Sequence, residues 1–107
     1  MKTLNINNGK SSAAINTQAG NYTAVLADDD RVITSNSAVA VNITIPPNSA
    51  VLFAVNAELK LRQLGVGIST FVAGSGVTIQ KSANVIAMAQ YGFQHATQVS
   101  PNTWVVW

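Results

Sequence analysis

Val39–Pro47 reads VAVNITIPP. Val39, Val41, Ile43 and Ile45 are apolar, and the residues between them, Ala40, Asn42 and Thr44, are small or polar. Side chains alternate sides along a strand, so this spacing gives one apolar face and one mild face. β-Branched residues at every second position suit a pleated, half-buried surface. Pro46 and Pro47 stop the strand, because neither can donate to a ladder. The four apolar residues are expected to point into a core.

The flanking segments repeat the pattern. Upstream, Tyr22 to Leu26 reads as a strand. Ala27 to Asp30, ADDD, reads as a tight turn, since Asp bonds its own backbone. Arg31 to Thr34 leads to a second turn at Ser35-Asn36-Ser37. Downstream, Val51 to Val55 reads as a strand, and so does ELKLRQL at Glu58 to Leu64, with Leu59 and Leu61 inward. Leu64 breaks that parity and predicts a bulge near Gln63. Strands are expected at Ile68 to Ala73, Val77 to Gln80 and Thr103 to Trp107. Tyr91 to Val99 alternates, with Tyr91, Phe93, His95, Thr97 and Val99 on one face and Gly92, Gln94, Ala96 and Gln98 on the other. Ala83 to Gln90, ANVIAMAQ, is the one place that suits a helical turn. By parity Trp104 and Trp107 lie on opposite faces, with Trp104 in the core and Trp107 terminal or at an interface.

About eight to ten short strands at this spacing predict an all-β fold: a single small antiparallel β-sandwich or jelly-roll-like domain. Residues 21–107 form that domain. Residues 1–20 read as a polar N-terminal arm with breakers at Gly9 and Gly20, in which Leu4 and Ile6 alternate as a short edge strand.

Composition narrows the function. With 107 residues there is room for one domain. Hydrophobic residues at 48% allow a core, and charged residues at 9% fall far below the roughly 25% of an average globular protein. Such a surface is built from Asn, Ser, Thr, Gln and Ala, and it suits life in an assembly. The six basic residues are scattered rather than clustered, which argues against nucleic acid as a partner. No apolar run reaches the length of a membrane-spanning helix, and the N-terminus has no secretory pattern. With no Cys, disulfides and thiolate metal sites are excluded.

Candidate chemistry is sparse. Asp28-Asp29-Asp30 is the only acidic cluster, and no distal Glu completes a calcium loop, so turn chemistry is the better reading, with Arg31 screening the charge. His95 is the only histidine, which excludes a two-imidazole metal site within the chain, and no Gly-x-Ser-x-Gly elbow occurs. Glu58 is the only Glu, and its spacing to the Asp cluster gives no glycosidase pair. The glycine pairs Gly65/Gly67 and Gly74/Gly76 read as turns, not phosphate loops. The expectation is a non-enzyme with no cofactor and no metal.

The order of several segments resembles a small β-sandwich domain recurrent in tailed-phage virion proteins. The residues that carry the likeness are Tyr22 to Asp28, Val32-Ile33, Asn36-Ser37, Val41 to Pro46, Gly65-Val66-Gly67, Gly76 to Ile79, Gln90-Tyr91 and Asn102 to Val106. Val55-Asn56-Ala57 departs from it, where the family often has a Gly before the charged strand. The resemblance implies a structural or adhesive role in a virion, frequently as a trimer, without catalytic residues. A Met-initiated chain of this length with a polar arm suits a head decoration or cement protein, which binds the major capsid protein or other virion proteins as a small homo-oligomer. A tail-fibre or receptor-binding tip that recognises host surface glycan is the alternative. The residues expected at interfaces are Leu4, Ile6, Tyr91, His95 and Trp107.

Overall fold

The computed structural model describes residues 15–107. Leu4, Ile6 and most of the expected N-terminal arm lie outside the described residues. Among these there are nine strands: β1 Ile15–Gln18, β2 Tyr22–Thr23, β3 Val32–Ser35, β4 Val41–Ile45, β5 Glu58–Gln63, β6 Ser69–Ala73, β7 Thr78–Lys81, β8 Phe93–Ser100 and β9 Thr103–Val106. They form a six-stranded sheet, in the order β1-β3-β5-β8-β9-β7, and a three-stranded sheet, β2-β4-β6. The all-β character stands. The antiparallel sandwich does not describe the fold, because five pairings among the described residues are parallel and two are antiparallel.

The parallel pairings make the first three turns a solenoid-like coil. The chain passes alternately through the large sheet (β1, β3, β5) and the small one (β2, β4, β6), and each turn lies on the one before. Between the second and third turns the offset is constant. Ile33 pairs with Leu61 (61 − 33 = 28) and Ile43 pairs with Phe71 (71 − 43 = 28). Backbone hydrogen bonds keep this register at both ends of β4 and β6: Gly67 N–H donates to Ser37 O and Val41 N–H to Ile68 O at the corner before them, and Gly74 N–H to Ile45 O beyond them. Stacking backbone on backbone leaves no room for a side chain at Gly65 or Gly67. A Cβ on Gly65 would lie 2.2 Å from Ser37 O.

The alternation in VNITI buries Val41, Ile43 and Ile45, and Ile43 and Ile45 join the core of Leu59, Leu61, Phe71 and Phe53. Each fully buried aliphatic side chain contributes up to about 1.5–3 kcal/mol. Val39, expected inward, is 69% exposed. It precedes β4, in the corner turn where Ser37 Oγ bonds both its N–H and its carbonyl. Val51 to Val55 is loop, and Ala83 to Gln90 is neither strand nor helix.

The two ends of the coil are closed differently. At the C-terminal end β8 pairs antiparallel with β5, β9 with β8, and β7 then runs parallel to β9. Trp104 of β9 is fully buried, edge-on to Phe53 at 5.3 Å between ring centres. At the N-terminal end the filling is polar. Asp28 ends a 3-10 turn, Leu26–Asp28, and is fully buried. It accepts from Asn16 Nδ2 at 2.9 Å, Tyr22 OH at 2.7 Å and Val25 N–H at 2.9 Å. β1, which lies in the expected arm, pairs with β3 and supplies Asn16 to this network.

No bulge forms at Gln63. It occupies the next inward slot of β5, and its Oε1 accepts from Ser69 N–H at 3.2 Å, holding the turn that follows. The irregularity lies instead between Gln98 and Ser100. Gln98 is also fully buried. Its Nε2 donates to Phe53 O and Ala54 O, each at 2.9 Å, and its Oε1 accepts from Asn102 N–H. Buried glutamines thus fasten loops to strands, with each amide satisfied as burial requires.

Candidate interaction surface

The alternation of β8 puts Gln94, Ala96 and Gln98 inside and turns Phe93, His95 and Thr97 outward. Cross-strand register assembles the rest of this outer face. Arg62 lies opposite Phe93, Lys60 opposite His95, and Glu58 opposite Thr97. Thr97 lies opposite Val105, and His95 exchanges both backbone hydrogen bonds with Trp107. Lys60, His95 and Trp107 thus form one row across three strands, with Glu58 and Arg62 to either side of it on β5.

The aromatics here are held and exposed. The His95 and Trp107 rings sit 4.4 Å apart at 49°, and Trp107 Nε1 donates to Thr97 Oγ1 at 3.0 Å. Phe93 is 53% and Trp107 56% exposed. Tyr91, at the end of the face, is 62% exposed with φ +69°. That left-handed conformation is uncommon for a bulky residue and carries strain of about 1–3 kcal/mol. The structure therefore brings His95 and Trp107 together, leaves Tyr91 exposed in the turn before β8, and adds Phe93, which the interface expectation left out. Its place in the alternating run with Tyr91 and His95 was the available signal.

A second apolar patch lies at the coil's corner, where Val39 of one turn meets Val66, Gly67 and Ile68 of the next. Val39, Val66 and Ile68 are all exposed. Contiguous exposed apolar side chains of this kind mark interaction surfaces.

Among the described residues the acidic side chains do not converge. The three Asp residues diverge to separate partners: Asp28 inward, Asp29 Oδ1 accepting from Glu58 N–H at 3.0 Å, and Asp30 Oδ1 2.6 Å from Lys60 Nζ. Glu58 does come next to the cluster, but Lys60 stands between, 3.9 Å from Glu58 Oε1. Arg31 Nη1 lies 4.0 Å from Asp28 Oδ1. Among the described residues the His95 imidazole has no hydrogen-bond partner and no three His, Asp or Glu residues converge as a metal site. Burial, reinforced by the bond to Asp28, raises the Tyr22 pKa above its ordinary value of 10.0, while Asn16 and Arg31 oppose the rise.

No known family model matches this chain, and comparisons with curated proteins and with solved structures gave no significant match.

Proposed function

We propose that this chain is a structural protein of a bacteriophage particle, a head decoration or cement protein that binds the shell as a small homo-oligomer. The observation that carries the reading is the outward display of apolar and aromatic side chains on a chain with only four acidic and six basic residues. A monomer in water gains nothing from exposing Phe93, Trp107 and the Val39–Val66–Ile68 corner together, whereas an assembly buries them. The coil, with its apolar core and the Asp28 network, is suited to bridging joints between capsid subunits. Bound there, it adds buried area that opposes internal pressure.

The test is reconstitution. Purified chain added to particles lacking it should co-sediment to a saturating, fixed stoichiometry and raise the temperature at which the genome is released. Absence of co-sedimentation under conditions where the chain is folded would overturn the reading.

One observation favours a second reading, a tail-fibre tip. The exposed Trp107 ring, tilted against His95 with Lys60 opposite His95, offers a sugar ring an aromatic partner and a cation. That reading expects binding to host surface polysaccharide, lost in Trp107→Ala.

A further inference from the structure

We propose that the outer face of the six-stranded sheet is the contact between two copies of this chain, packed face to face about a two-fold axis that runs across the strands along the row Lys60, His95, Trp107. The inference rests on the oligomer reading above and names its surface.

The argument is charge complementarity on a self-facing surface. Glu58 and Arg62 lie on the same strand, one on each side of the row, and both side chains face outward and are partly exposed. An in-plane axis along the row reverses the strands of the second copy. It sets Glu58 over Arg62 of the second copy, and Arg62 over Glu58, giving two equivalent ion pairs. Isologous contacts of this kind are the commonest in soluble oligomers. Arg62 has no ion pair among the described residues, so its charge awaits a partner. Lys60, which the axis places near its own copy, carries its counter-charge with it, 2.6 Å away on Asp30.

The apolar groups obey the same operation. Trp107 stacks over Trp107 of the second copy and His95 over His95, while Phe93 lies over the Thr97 methyl. An axis along the strands between β5 and β8 would instead set Arg62 over Phe93 and Glu58 over Thr97, leaving Arg62 without an acidic partner and Glu58 with Lys60 of its own chain alone. Stacked sheets pack about 10 Å apart, a gap that the aromatic side chains fill from both sides.

The test is a charge swap read by sedimentation equilibrium on the full chain, with circular dichroism melting as the folding control. Wild type should sediment as a dimer at tens of micromolar. Arg62→Glu places two acidic pairs in the contact and should weaken it by about ten-fold or more. Glu58→Arg should do the same. The double variant Glu58→Arg/Arg62→Glu should restore association to within about three-fold of wild type. A monomeric wild type, an oligomer indifferent to Arg62→Glu, or a double variant no better than the singles would each overturn the proposal. Particle binding by a chain that is monomeric in solution would sink this contact and leave the virion reading standing. A swap-sensitive dimer that ignores particles would do the reverse.

Discussion

Gly67 sits directly on Val39. A Cβ built on Gly67 would lie 1.9 Å from the Val39 carbonyl oxygen, well inside any real contact. The two residues are 28 apart (67 − 39 = 28), the same offset that relates β3 to β5 and β4 to β6. The corner is therefore where one turn of the coil is fixed on another. Gly67→Ala must push backbone from backbone, and it is expected to cost about 3 kcal/mol or more. Gly20→Ala, where no atom lies within 4 Å, serves as the control and should stay within about 0.5 kcal/mol. Urea denaturation of the two variants checks this.

Val41 and Val39 separate two roles that their spacing makes look alike. Val41 is buried and Val39 is exposed. Val41→Asp buries a carboxylate without a partner and is expected to abolish folding, since the cost rivals a domain's whole stability of about 5–15 kcal/mol. Val39→Asp is expected to fold normally and shift stability by no more than about 0.5 kcal/mol. Soluble expression and thermal melting read both outcomes.

That pair also shows what could be read from residues alone. Alternation revealed the inward faces of β4, β5, β8 and β9, and it separated Trp104 from Trp107. It also put Phe93, His95 and Thr97 on the outward face of β8, while Tyr91, read as part of that strand, lies in the turn before it. The direction of pairing was hidden. The 28-residue offset matches Ile43 with Phe71, Ile45 with Ala73 and Pro46 with Gly74, so geometry repeats while residue identity does not. Buried glutamines were hidden as well, because Gln98 satisfies its amide on loop backbone 44 and 45 residues away, and Gln63 on the turn that follows its own strand. The Asp cluster read correctly as a turn, but nothing near it signalled that Asn16 and Tyr22 would converge on Asp28.

Asp28 closes the N-terminal end of the core by accepting three hydrogen bonds. Asp28→Ala removes the acceptor from the half-buried donors on Asn16 and Tyr22 and from Val25 N–H, and it should cost about 1–3 kcal/mol in chemical denaturation.

The same network sets a pH dependence. The folded state holds the Tyr22 proton above the unfolded value of 10.0, chiefly through burial. Its contribution to stability is complete below pH 10.0 and is lost as pH rises through the higher folded value. Denaturation midpoints measured on both sides of pH 10.0 should fall on the alkaline side, and Tyr22→Phe should remove this part of the fall.

Tyr91 holds φ +69° with its ring exposed. Asn tolerates that conformation far better, so Tyr91→Asn should raise stability by about 1 kcal/mol. If the ring is displayed for a partner, the same variant should bind particles more weakly even as it melts at higher temperature.

The most direct measurement labels whole particles, made from the genome that encodes this chain, with gold-tagged antibody against it and locates the gold by electron microscopy. The account predicts gold spread over the head. Gold confined to the tail end would contradict the cement reading and favour the fibre tip. Particles without gold would contradict a place in the virion altogether.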